Sequence, residues 1–333
     1  MRIKLPFSNS RIFWGVLPVA LGLIVFLCVT MLGADRAATV SGVPADDKYV
    51  DIGTVPPARA SAAGPDASTG SYTVECGRNE QGHYNMDNVV ISPGVVNGAH
   101  HTHDYVGNLS TDALSTDRSL AAADTTCAGG DRSTYYWPVL RRLDRTGHDA
   151  HGPGGGAHGN TGEIVKASSV RVEFRGNPAS SVVGMPRFIR LITGDPVAAT
   201  TDSGNVRAQW GCSGYPDRFT RNYALCPPGS GPTRILDFPS CWNGLATDSP
   251  DHRTHAQFPA ADGTCPRATF PVPQLRVTLT YDLPEGTPFA VDSFPEQLRD
   301  PITDHAMFVN VMPEDRMTEL VRCINEDRRC GAG

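Results

Sequence analysis

The chain has 333 residues, a net charge of −6, nine cysteines and ten histidines. Its first 34 residues carry three basic side chains and no acidic one, so −6 less +3 leaves the remainder at −9, a surface that repels phosphate and excludes a nucleic-acid partner. The sequence contains no Gly-x-Ser-x-Gly elbow, no His-Glu-x-x-His and no phosphate loop, which sets aside the commonest hydrolase and nucleotide-binding classes.

Arg2, Lys4 and Arg11 precede an uncharged apolar run over residues 12–34. As a helix this run is long enough to cross a hydrocarbon core of roughly 30 Å. It predicts a transmembrane signal anchor, with residues 1–11 cytoplasmic and everything after Ala34 outside. The expected location is the cell membrane, single-pass, with the membrane itself as a partner through this helix. Cleavage near Ala34 would instead release a secreted protein, although Leu32 stands where a signal peptidase site prefers a small residue. A buried core helix is the plain alternative.

Residues 35–70 are rich in Ala, Gly, Pro and Ser and lack apolar periodicity, so they predict a flexible extracellular linker. Residues 71–333 then form one extracellular domain. Eight of the nine cysteines fall beyond the apolar run, and an even number in an oxidising compartment implies disulfides. Among the many pairings open to eight cysteines, sequence neighbours suggest Cys76–Cys127, Cys212–Cys226, Cys241–Cys265 and Cys323–Cys330. None of them shows the spacing of a zinc ribbon.

The domain reads as mainly β: a disulfide-stapled sandwich or irregular barrel with long loops and a C-terminal helix. "VRVEFRG" (170–176), "RFIRLITGD" (187–195) and "QLRVTLTYDLP" (274–284) alternate as strands with one wet face, each closed by turn residues. "YYWPVLRRL" (135–143) is apolar enough for a strand, and Pro138 assigns it to an edge or a bulge. In "GHDAHGPGGGAHGNTG" (147–162) the glycines leave His148, His151 and His158 too free to act as ordered ligands, so the segment reads as a mobile insertion. In "PEDRMTELVRCINEDRR" Met317, Leu320, Val321 and Ile324 recur at helical spacing behind a proline and two acids.

Three stretches carry chemistry. In "GAHHTHDYVG" (98–107), His101 and His103 project from one face of an extended chain and His100 from the other, and two imidazoles so placed can share a transition metal. In "DSPDHRTH" (248–255), Ser249, Pro250 and Asp251 suit a helical first turn that would bring His252 and His255 onto one face. In "DPITDHAMFVNVMP" (300–313), His305 opens an apolar run. Any three of His101, His103, His252, His255 and His305 would hold a tetrahedral metal with one open position, copper or zinc being the candidates. Asp104, Asp248 and Asp251 are available to orient an imidazole or to act as general acids and bases, and Trp242 and Phe258 to wall the pocket. The plain alternative is that these histidines only pin loops by hydrogen bonds.

"MDNVVISPGVVNGAHHTHDYVGN", "RFIRLITGDP", "RILDFPSCWNG" and "DSPDHRTHAQFP" followed by "CP", in that order, resemble the secreted domain of unknown function numbered nineteen-ninety-six, found in actinobacteria and fungi. The resemblance covers roughly residues 72–323. It implies an extracellular or cell-wall setting, since fungal members are often fused to wall-binding modules. The family's His-x-His falls on His101 and His103, its Ser-Cys-Trp on residues 240–242, and its Asp-Ser-Pro-Asp-His-x-x-His on residues 248–255. Its late segment, His-x-Asp-Phe-x-Asn-Gly-Trp, is only partly kept: His305, Phe308 and Asn310 remain, while the acid and the tryptophan are gone.

Sequence alone therefore leaves three functions open. One is an envelope protein that binds a transition metal or a wall glycan through a His/Asp pocket. Another is a polysaccharide hydrolase working through Asp248 or Asp251, which would need two carboxylates across a cleft. The last is a purely structural surface protein.

Overall fold

The computed structural model describes residues 44–332 apart from 60 and 203. The predicted cytoplasmic segment and signal anchor, residues 1–34, lie outside the described residues, and no helix among those described is long and apolar enough to cross a membrane. In chain order the strands are β1 (Tyr49–Asp51), β2 (Ser71–Val74), β3 (Tyr84–Asn85), β4 (His103–Gly107), β5 (Thr134–Pro138), β6 (Leu140–Arg142), β7 (Glu163–Val165), β8 (Ser169–Arg175), β9 (Arg190–Gly194), β10 (Trp210–Cys212), β11 (Tyr223–Leu225), β12 (Pro232–Asp237), β13 (Cys241–Trp242), β14 (Ala256–Gln257), β15 (Phe270–Pro271), β16 (Gln274–Thr280), β17 (Phe289–Val291), β18 (His305–Val309) and β19 (Arg329–Ala332). Among the described residues two α-helices join them, α1 (Asp117–Ala122) and α2 (Glu314–Asn325).

Two sheets dominate and make a sandwich-like, mainly β fold. One has six strands in the order β10-β12-β16-β8-β2-β19, the other five in the order β3-β4-β5-β18-β9. On β16 half-buried and buried residues alternate along the whole strand, as its period-2 sequence requires. Its inward Leu275, Val277 and Leu279 share a core with Val172 and Phe174 of β8 and with Val106, Trp137 and Phe308 of the facing sheet. Each fully buried large side chain of this kind contributes roughly 1.5–3 kcal/mol.

The five-stranded sheet differs in being buried on both faces: every residue of β4, β5 and β18 is inaccessible to solvent. Its outer face carries a second core of Tyr105, Tyr136, Ile192, Met307 and Val309, covered by Val89, Val90 and Leu120 from the preceding loop and from α1. The loop over residues 86–100 thus closes over a face that a two-layer sandwich would leave wet.

The four disulfides are Cys76–Cys127, Cys212–Cys226, Cys241–Cys265 and Cys323–Cys330, the pairs that sequence neighbours suggest. The C-terminal helix buries Met317, Leu320, Cys323 and Ile324, while Val321 is half-buried. The chain then continues into β19, which pairs in parallel with β2.

Three expectations need correction. Pro138 is on neither an edge nor a bulge. It is the last residue of β5, a central strand, and after it the chain leaves this sheet for the three-stranded β17-β6-β7 sheet, so the missing N–H costs no ladder bond within the strand.

The described part of the predicted linker, from residue 44 on, is a docked arm. β1 pairs in parallel with β11, Ile52 is fully buried, and the Tyr49 hydroxyl donates to the Phe289 carbonyl at 2.6 Å. Composition averaged over 36 residues hid the few apolar anchors that pay for ordering it.

The glycine-rich loop over residues 147–162 is built into the fold. Arg141 holds Asp149 through two 2.7 Å bonds, and the Asn160 side chain bonds the Ser293 backbone at both its carbonyl and its N–H. At Gly154 (φ +76°) a Cβ would sit 2.5 Å from Met86 Sδ and 2.9 Å from Thr102 Oγ1. Glycine serves close approach there rather than freedom.

Candidate metal centre

β4 and β18 flank β5, so residues at one level of the two strands are two strands apart. Antiparallel register pairs His103 with Pro138 and Met307 with Tyr136, and two further residues along β18 bring His305 to the level of Pro138. Alternation then decides the face. His103 and His305 share the outer face with Tyr105, Met307 and Val309, and His101 reaches the same place from two residues before the strand.

The three imidazoles converge. His101, His103 and His305 each offer one ring nitrogen, and these atoms lie within 4.8 Å of one another. The Nε2 atoms of His101 and His103 are 3.1 Å apart, close to the separation of about 3.3 Å that two 2.0–2.1 Å bonds impose at a tetrahedral metal. The rings stand nearly perpendicular to one another, at 77°, 87° and 84°.

Hydrogen bonding fixes the nitrogens that are offered. Nδ1 of His103 donates to the Asp87 carbonyl at 2.9 Å, and Nδ1 of His305 to the Thr303 carbonyl at 2.8 Å. Both rings therefore carry their proton on Nδ1 and present a bare Nε2, the arrangement in which a backbone carbonyl orients a metal-ligating histidine. His101 Nδ1 sits over the Ala99 carbonyl, just outside hydrogen-bond geometry, and its Nε2 donates to that of His103 when no ion is bound. Accepting an ion there requires the His101 proton to move to Nδ1, where the Ala99 carbonyl waits for it.

All three rings are at most 1% exposed. Burial, reinforced by mutual repulsion, pushes His101 well below its ordinary pKa. Burial likewise takes His103 down to about 3 and His305 to about 4. The cluster is neutral at physiological pH, the state in which imidazole binds metal. Phe294 stands edge-on to His101 at 5.2 Å and Tyr136 edge-on to His103 at 5.2 Å, so the cluster is walled by rings that sequence gave no reason to single out. His100, with φ +56°, turns outward and is exposed, its ring 5.2 Å from that of His158.

His252 and His255 do not join this cluster. His255 spends both nitrogens on its own fold: Nδ1 lies 2.9 Å from Ser249 Oγ, and Nε2 donates to the Arg190 carbonyl at 2.6 Å. His252 pairs with Asp248 at 2.9 Å. Asp251 accepts at one oxygen from the Ser249 hydroxyl, from the Arg253 and Thr254 N–H groups and from the Thr254 hydroxyl, which holds its carboxyl well below the usual range. The stretch is a turn rather than a helix. It pins itself to β9, and its histidines were expected at the site only because a helical spacing was assumed.

The other candidates are likewise placed elsewhere. Asp104 alternates to the inner face of β4, where Asn79 donates to it at 2.7 Å and burial raises it to about 7. Trp242 donates to the Ala246 carbonyl, and Phe258 lies under the Arg207 guanidinium, so neither walls the histidine cluster. A cavity of about 480 Å³ lies beneath the docked arm, lined by Tyr49, Leu225, Leu283 and Phe289, and none of these histidines borders it.

Fold and site together define a disulfide-stapled, mainly β protein with a buried cluster of three histidines. The family model described as "Domain of unknown function (DUF1996)" matches residues 88–303, about two thirds of the sequence, and the chain belongs to that family. No curated protein and no solved structure matches it.

Proposed function

We propose that this chain is an exported protein of the cell envelope, tethered by residues 12–34, whose task is to bind one transition-metal ion through His101, His103 and His305. The observation that carries the reading is the pair of backbone carbonyls, Asp87 and Thr303, that fix two buried imidazoles with their Nε2 atoms turned toward a shared point. His103 and His305 each have one nitrogen held by a backbone carbonyl and sit among neighbouring imidazoles, whereas His255 spends its nitrogens on Ser249 and the Arg190 carbonyl. Three neutral imidazoles in van der Waals reach of one another gain little from burial unless something bridges them. The four disulfides are consistent with an oxidising compartment.

A hydrolytic role has less support. Asp104 is buried between the sheets, Asp251 accepts bonds from its own turn and Asp248 is paired with His252, so each candidate carboxylate serves a local partner. Elemental analysis of the purified full-length protein tests the proposal. One equivalent of metal per chain, lost in His101→Ala and in His305→Ala but kept in His252→Ala, supports it. A native protein that takes up no metal from copper- or zinc-supplemented buffer overturns it.

A further inference from the structure

Resting on that reading, we infer that the three-histidine centre is built for copper in its +1 state, in preference to Zn(II) or Cu(II). The argument is one of charge and coordination number. Three neutral imidazoles bring no negative charge, and among the described residues no carboxylate or thiolate joins them within 4.8 Å.

The acids on the segments around it accept bonds from other groups. Asp87 meets His103 with its carbonyl while both carboxylate oxygens accept backbone N–H groups, from Asn97 at 2.7 Å and from Ala113 at 3.0 Å. Asp304, adjacent to His305, points through the sheet to Arg234, which holds it at 2.5 and 3.2 Å. Asp292 is paired with Arg141 at 2.7 Å, and Asp195 accepts from the Val197 N–H at 3.0 Å. The eight cysteines that could supply thiolates are all in disulfides.

An ion entering this place meets no anionic ligand, the Asp304 and Asp195 carboxylates acting on His305 only through their fields, in a site whose ligands are at most 1% exposed. The cost of removing an ion from water grows as the square of its charge, so a divalent ion loses about four times as much as a monovalent one. Sites that hold a divalent ion away from water ordinarily offset this with carboxylate, thiolate or bound hydroxide. Here hydroxide would have to fit beside Phe294 and Tyr136, whose rings close against His101 and His103 at 5.2 Å. Monovalent copper needs neither anion nor fourth ligand, because its single charge is met by three neutral nitrogens. The cluster has the donors that Cu(I) takes and lacks what Zn(II) and Cu(II) demand.

Competition titration of the purified full-length protein against chromophoric chelators tests this. Cu(I) is held reduced with ascorbate under anaerobic conditions, which leaves disulfides intact, and Zn(II) and Cu(II) are titrated separately. The expected result is one Cu(I) per chain with a dissociation constant at least about 100-fold below those of Zn(II) and Cu(II), given the fourfold difference in desolvation. His305→Asp, which places one carboxylate among the donors, is expected to narrow the Cu(I)-over-Zn(II) ratio by about 10-fold or more. Tighter binding of Zn(II) or Cu(II) than of Cu(I) by the native chain overturns the oxidation-state inference and leaves the metal-binding reading standing. Failure to bind any of the three ions overturns both. An unchanged ratio in His305→Asp, with one ion still bound, shows that charge is not what selects and also overturns the inference.

Discussion

Two regions of this molecule looked alike in sequence and differ in structure. The stretch around His101 and the stretch around His252 each place histidines two or three residues apart beside aspartate. In the second, Asp248 takes one nitrogen of His252, Ser249 and the Arg190 carbonyl take both of His255, and the Asp251 carboxylate takes the turn's own N–H groups. In the first, backbone carbonyls take one nitrogen each of His103 and of His305, the latter brought from about 200 residues away, and the local His101 completes the cluster. Whether a histidine can serve as a ligand depends on how many of its nitrogens the fold has already used.

The largest effect that could break this comparison is on metal content. His103→Ala is expected to reduce bound metal from one equivalent to less than a tenth by elemental analysis, and His255→Ala to leave it at one. Equal losses in the two variants would erase the distinction.

Next comes stability on the turn side. Cys241–Cys265 closes a loop of 24 residues around the turn, and replacing both cysteines with serine should cost about 3 kcal/mol in urea unfolding. Metal content should not change.

On the other side the signature is a dependence on pH. Folded His103 titrates at about 3, against 6.5 for its ordinary value. Below pH 6.5 the unfolded chain binds a proton there that the folded chain refuses, so this histidine makes stability fall as pH drops from 6.5 toward 3. Asp104, raised to about 7 by burial, acts in the opposite sense: its contribution is present below its ordinary value of 3.8 and is lost as pH rises through 7. Asp104 is common to native protein and variant, so comparing metal-free native protein with His103→Gln isolates the histidine. The variant is expected to lose about 1.4 kcal/mol per pH unit of the native slope between pH 6 and 4. Parallel unfolding curves would mean that His103 is not buried as described.

The smallest effect expected is that of His255→Ala, about 1 kcal/mol, from leaving the Arg190 carbonyl without its imidazole partner.

Much of the fold was legible because its signals are local. The alternation of β8 and β16 and the helical spacing of Met317, Leu320 and Ile324 are set by side-chain periodicity, which survives in any context that buries one face. The disulfides followed from chain proximity, since short loops are the least costly to close. The arm over residues 44–59 and the loop over 147–162 escaped notice because their order comes from distant partners, Phe289 for Tyr49 and Arg141 for Asp149.

Of the site, sequence by itself determined that His101 and His103 share a face, because a strand has a period of two. It could not rank His305 above His252 and His255, since all three are histidines beside aspartate or threonine. Only the tertiary structure decided that question. Strand order sets β18 two places from β4, burial of both faces of that sheet excludes water, and the Asp87 and Thr303 carbonyls choose which nitrogen is left to bind. These are relations between segments far apart in the chain, and no local pattern encodes them.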